Sequence, residues 1–125
     1  MTLYQATLHG PTLLSTGAAV ANATLVYNSD APTTSSIAQA ANVTIVKQII
    51  ACNTDASART FSLYLNTSGT PAVANTILEG VTLAAGETKI INTSLVLRAD
   101  KDQKLYARAS VNSLVTLTLV GIEEY

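Results

Sequence analysis

Between Ala58 and Leu65 apolar and polar residues alternate. Phe61, Leu63 and Leu65 are interleaved with Thr60, Ser62 and Tyr64. A period of two marks a strand with one buried face. The same rhythm runs through 104–110, where Leu105, Ala107 and Ala109 oppose Tyr106, Arg108 and Ser110. It returns in 114–123, with Val115, Leu117 and Leu119 inward and Thr116 and Thr118 outward. Residues 88–97 read as a strand with Ile91, Leu95 and Leu97 on one face. Segment 42–52 is different: Val43, Ile45, Val46, Ile49, Ile50 and Ala51 make it apolar on both faces, broken only by Lys47 and Gln48. That pattern fits a central strand between two layers, or a strand with one face in a subunit contact.

Turn residues punctuate these runs. Asn53–Ser57 is a short polar connection, so 42–52 and 58–65 are expected to form a hairpin. Asn66–Pro71 is a loop, 72–83 is irregular around Ile77, Leu78, Val81 and Leu83, and Ala84–Glu87 is a turn. In the first third, 12–15 and 23–28 are strand candidates, and a polar connection containing Pro32 leads to a short helix over 37–41. Residues 1–11 carry Leu3, Tyr4 and Leu8 without a clear element and read as an extended N-terminal arm. The remainder, 12–125, is a single domain. Seven or eight strands at this spacing predict an all-β protein, a two-layer antiparallel β-sandwich. Its core is expected at Ile45, Phe61, Leu63, Leu65, Leu95, Leu105, Leu117 and Leu119.

Composition supports the all-β reading and changes the picture of the surface. Charged residues are 12% of the 125, about half the usual fraction of roughly 25%. With 18 Thr and 10 Ser, the polar surface is built largely from hydroxyls, and Thr suits a pleated surface. A surface with so little charge suits a protein partly covered by neighbours. The net charge of −1 leaves no footprint for nucleic acid. No apolar run reaches the roughly 20 residues of a membrane helix, and the first ten residues lack the features of a signal peptide. A single cysteine, Cys52, and a single histidine, His9, exclude an internal disulfide and a multi-histidine metal site.

Candidate chemistry is sparse. The carboxylates Asp30, Asp55, Glu79, Glu87, Asp100, Asp102, Glu123 and Glu124 fall in turns or near the terminus, where nothing raises their pKa for acid–base work. Asp100 and Asp102 are too few for calcium and are crowded by Lys101 and Lys104, so the 98–102 cluster reads as a solvated turn. No nucleophile elbow accompanies His9. The expectation is a protein that is not an enzyme and holds no cofactor and no metal.

The stretch Ile45-Val46-Lys47-Gln48-Ile49-Ile50-Ala51-Cys52-Asn53-Thr54, followed by Ala58-Arg59-Thr60-Phe61-Ser62-Leu63-Tyr64-Leu65, carries a resemblance. Leu83-Ala84-Ala85-Gly86-Glu87-Thr88, Leu95-Val96-Leu97-Arg98-Ala99-Asp100 and the closing run Val115–Glu123 continue it. In this order the segments resemble small β-sandwich structural proteins of tailed bacteriophages, found as capsid decoration (cement) proteins or as tail and baseplate accessories. The resemblance covers about residues 42–124. It implies a virion protein assembled in host cytoplasm, with the major capsid protein or another virion protein as partner. It also implies a homo-oligomer, a trimer in first place. No nucleic acid or membrane partner is expected. A tail accessory or a host-receptor or glycan-binding module is the alternative. Interface residues are expected at Leu3, Tyr4 and Leu8 in the arm and at Val46 and Ile50 on the doubly apolar strand.

Overall fold

The computed structural model describes residues 3–15, 22–29, 43–67 and 70–124. These residues form eight strands: β1 (Leu3–Leu13), β2 (Thr24–Asn28), β3 (Val43–Asn53), β4 (Arg59–Asn66), β5 (Thr76–Leu83), β6 (Thr88–Arg98), β7 (Lys104–Ala109) and β8 (Val115–Glu124). No α-helix occurs among the described residues. The expected helix at 37–41 lies outside them. The strands make two four-stranded antiparallel sheets, ordered β1-β8-β3-β6 and β2-β7-β4-β5, called here the first and second sheet. The two-layer sandwich is therefore as expected.

The topology has a simple logic. β1 pairs with β8, β2 with β7, β3 with β6 and β4 with β5. The chain is one long antiparallel ribbon with its tip at the β4–β5 connection, folded over so that β3 meets β8 and β4 meets β7. This is the strand order of a jelly roll. It corrects one local expectation: β3 and β4 are not a hairpin but lie in opposite sheets. The reason is Asn53, fully buried at the end of β3. Its amide nitrogen lies 2.8 Å from the Ser57 carbonyl, 3.3 Å from that of Leu83 and 3.1 Å from that of Ala84, and its oxygen accepts the Asp55 N–H at 3.0 Å. The side chain thus holds the β3–β4 and β5–β6 turns together and directs the chain across to the other layer. Asn53 N–H donates to Glu87 O, Thr54 N–H to Leu114 O and Gly86 N–H to Asp55 O, which complete this polar knot.

Phe61, Leu63, Leu105, Leu117 and Leu119 are core residues, and Leu65 and Leu95 pack half-buried against them. Ile45 is the exception. Thr44, Val46, Ile49, Ala51 and Asn53 are the buried residues of β3, so parity changes between Val46 and Ile49. A register shift against both neighbouring strands falls there. A bulge of this kind inserts one residue and flips the faces beyond it. It turns Ile45 outward, and with Val43 and Ile50 also on the outer side β3 carries apolar residues on both faces.

The described part of the expected arm at 1–11 is not free. Leu3 to Leu13 form β1, paired along β8 from Leu3↔Glu124 to Leu13↔Thr116. The domain boundary expected at residue 12 thus falls inside a strand. Two register irregularities, between Thr7 and His9 and between His9 and Thr12, break the period of two and hide the strand from pattern reading. Gly10 lies at this break with φ +94°, and a Cβ there would run into the Leu117 carbonyl. Leu8 is 5% exposed and belongs to the core. Leu14 N–H donates to Val115 O and Ser113 N–H to Leu14 O, both within 3.0 Å, which fixes the end of β1 to the sandwich.

Candidate interaction surfaces

The residues expected at an interface divide into three groups. Leu8 and Val46 are buried in the core of the single chain, so neither presents its side chain to a partner. Leu3 is 58% exposed on the outermost strand and Ile50 is half-exposed on the outer face of the first sheet. Tyr4 is paired with Glu123 through β1 and β8, and its side chain lies outside the described residues.

The outer face of the first sheet is the feature that sequence reading missed. Register arranges it in rows across the strands. Ile122, Ile45 and Val96 are neighbours from β8 to β6, as are Val120, Gln48 and Asn92, then Thr118, Ile50 and Ile90, then Thr116, Cys52 and Thr88. Ile90 and Val96 are 56% and 48% exposed. The Gln48 amide donates to Asn92 Oδ1 at 3.3 Å within the face. With strands about 4.8 Å apart and same-face residues about 6.8 Å apart, the first three rows cover roughly 300 Å², of which the aliphatic positions make up about 200 Å². Charges stand at one end, in the row of Glu124, Val43 and Arg98, where Arg98 is held by Asp100 through contacts of 2.9 and 3.0 Å, and at the β3 bulge, where Lys47 is exposed next to Gln48.

The outer face of the second sheet is built otherwise. Tyr64 and Ser62 point away from Phe61 and Leu63, yet both are buried. The β4–β5 connection, with its 3-10 turn at Val73–Asn75, contacts β4 on its way to β5. Ser62 Oγ accepts the Gly80 N–H at 3.0 Å, and Lys104, Tyr106 and Arg108 occupy the outward positions of β7.

Between β5 and β6 the sandwich is open. A cleft of about 240 Å³, lined mainly by Ile49, Leu63, Ile77, Leu78, Ile91 and Leu95, reaches from the core to the surface. On the opposite side β1 and β2 touch.

Three aspartates are held in ion pairs. Asp55 is 2.5 Å from the Arg59 guanidinium. That hydrogen bond, with the Ala56 N–H next in weight, holds its carboxyl below the usual aspartate value. Arg98 likewise lowers Asp100 and is itself raised. Asp102 is 2.5 Å from Lys104 Nζ, so the two aspartates considered for calcium are each engaged by a cation. No cluster of metal-ligating side chains occurs among the described residues. The His9 side chain lies outside them.

One carboxylate is not where the sequence placed it. Glu123 is fully buried. It accepts a hydrogen bond from the Tyr27 hydroxyl at 3.1 Å, and that hydroxyl lies 2.5 Å from Thr44 Oγ1. This links β2 of the second sheet to β3 and β8 of the first. The alternation of β8 carried two steps beyond Leu119, through Gly121, would have located Glu123 inside. Gly121 is needed on that path because a Cβ would run into the Ile45 carbonyl and meet Leu8 Cδ1 at 2.9 Å.

No family model, no curated protein and no solved structure matches the chain.

Proposed function

We propose that this is a non-enzymatic structural protein of a tailed-bacteriophage virion, a capsid decoration protein that binds and stabilises the head lattice. The observation that carries the reading is the outer face of the first sheet: largely aliphatic, with hydroxyls and amides beside it, and charged at one end and at Lys47 on the β3 bulge. Such a face loses little by leaving water and docks against another protein surface, not against an anionic polymer. The jelly-roll strand order supports the reading by analogy, since it recurs in viral capsid domains. A fold is not a function, so the face chemistry has to bear the argument.

The mechanism is mass action. A domain that binds the assembled lattice but not its separated subunits stabilises the assembly. Many identical contacts across a lattice then multiply a weak individual affinity. The partner in this reading is the major capsid protein or another virion protein, and the site of action is the virion. The same strand order is also used by lectins, which keeps a tail accessory or receptor- or glycan-binding domain as the second reading.

The test is addition of purified protein to phage heads stripped of decoration and, separately, to tails. Co-sedimentation with heads is expected. Replacing Ile45 and Ile122 together by Gln should weaken it at least tenfold, about 1.4 kcal/mol, while the fold persists. Binding to tails alone, or to a glycan panel with no affinity for heads, overturns the decoration reading.

A further inference from the structure

Among the described residues, the ribbon that makes this fold leaves β6 as an outermost strand, paired with β3 on one side only. It is an 11-residue strand whose outward and core-side positions alternate without a break, through the register step against β3 between Asn92 and Leu95. An outer strand offers a row of backbone donors and acceptors to another strand. What such a strand accepts is decided by the side chains on its two faces.

The side chains of β6 are self-complementary. Around Thr93 the sequence reads Ile90-Ile91-Asn92-Thr93-Ser94-Leu95-Val96. Pair this strand antiparallel with a copy of itself, Thr93 opposite Thr93. On the outer face Ile90 then meets Val96, and Asn92 meets Ser94. On the core side Ile91 meets Leu95. Directly opposed residues of an antiparallel pair lie on the same face, so the register moves only in steps that keep parity. Centring the pair on Asn92 sets Ile90 against Ser94 and Leu95 against Lys89. Centring it on Ser94 sets Ile90 against Arg98 and Asn92 against Val96. Among these neighbouring registers, the Thr93 register alone puts apolar on apolar and polar on polar along the whole segment. It also keeps like charges apart, with Lys89 opposite Leu97 and Arg98 opposite Thr88.

We infer that β6 is a two-fold interface for a second copy of this chain, joining two first sheets into one continuous eight-stranded sheet. The contact is isologous, as a two-fold requires. Ile91 and Leu95 line the open cleft between β5 and β6, so the pairing brings the two clefts together at the axis and covers apolar surface that the single chain leaves wet. It also joins the two aliphatic outer faces through the Ile90–Val96 pairs. The paired edge is about 30 Å long and about 10 Å deep, roughly 300 Å² on each copy. A stable dimer commonly needs about 800 Å². The association is therefore weak and concentration-dependent. This inference is independent of the virion reading, and it replaces the expected trimer by a dimer.

Two measurements on the full chain test it. In sedimentation equilibrium from about 10 µM to about 1 mM, the mass should rise from 13.0 kDa towards twice that value. Val96→Lys, at an exposed position, should weaken the association at least tenfold. In a Cys52→Ser background, Thr93→Cys lies directly opposite itself, at a Cα separation of about 4.5–5.5 Å that a disulfide spans, and should cross-link readily on mild oxidation. Ile91→Cys and Leu95→Cys, each about 14 Å from its own copy, should not cross-link alone but should do so when mixed. A monomer throughout the concentration range, a trimer, or cross-linking indifferent to position overturns the inference.

Discussion

Leu8 and Leu95 lie on the two outermost strands of the same sheet, and their surroundings differ. On the β1 side the strand is irregular twice, carries Gly10 and Pro11, buries Leu8 to 5% exposure against Gly121, and touches β2 across the layers. Pro and bulges are devices by which natural sheets blunt an edge. On the β6 side Leu95 is half-buried at the mouth of an open cleft, and Ile90 and Val96 project outward. One edge is closed by the chain itself, while the other is left unpaired among the described residues, with charge only towards its ends at Lys89 and Arg98. The comparison teaches that the position of a surface in the ribbon, not its hydrophobicity alone, decides whether it is core or interface.

The heaviest test of the closed edge is deletion of residues 1–9. It strips β8 of most of its β1 partner and removes Leu8. The expected loss is comparable with the whole stability of a domain this size, ~5–15 kcal/mol, and a thermal melt followed by circular dichroism should lose its cooperative transition. A truncated chain that melts like the full one would show that β1 is dispensable and the arm reading correct.

The same substitution on both edges sharpens the contrast. Leu8→Ala should cost about 2–5 kcal/mol, as for a buried leucine that leaves a cavity. Leu95→Ala, at an opening water already reaches, should cost about 1–2 kcal/mol. Urea titration of the two variants measures the difference, and equal losses would mean that the cleft is closed in solution.

Asn53→Ala acts on the tether of the open edge. It leaves the carbonyls of Ser57, Leu83 and Ala84 without their shared donor, at a cost of about 2–3 kcal/mol. Amide exchange should quicken first in the β5–β6 turn. Uniform acceleration across β1 as well would deny that the knot belongs to one side.

The smallest effect is electrostatic. Asp55, beside Arg59, and Asp100, beside Arg98, are depressed below the ordinary 3.8. A carboxyl lowered on folding stabilises the fold above its unfolded value, and that contribution is lost as pH falls through the native one. Both groups are exposed, so the gain is slight. The melting temperature of the parent should exceed that of Asp55→Asn by a small margin near pH 5, and the margin should shrink towards about pH 2. A margin that grows on acidification would contradict the direction of the shift.

The sequence by itself determined the class of fold and most of the inward faces. Alternation in β4, β7 and β8 located Phe61, Leu63, Leu105, Leu117 and Leu119 in the core, because a period of two has one geometric meaning when one face is dry. Local pattern failed where the period was broken or its continuation overlooked. The irregularities of β1 made a strand look like an arm, the bulge of β3 sent Ile45 outward and Val46 inward, and Glu123 lay two steps beyond the last apolar residue read. Tertiary structure alone decided which strands share a sheet. Asn53 crosses the chain between layers through carbonyls some 30 residues away, and no spacing along the chain encodes such a partner. It also decided that β1 is covered and that β6 is bare among the described residues, since an outermost strand is defined by what fails to pair with it. The palindrome around Thr93 was present in the sequence throughout, but only its place at a sheet edge gives it a partner to meet.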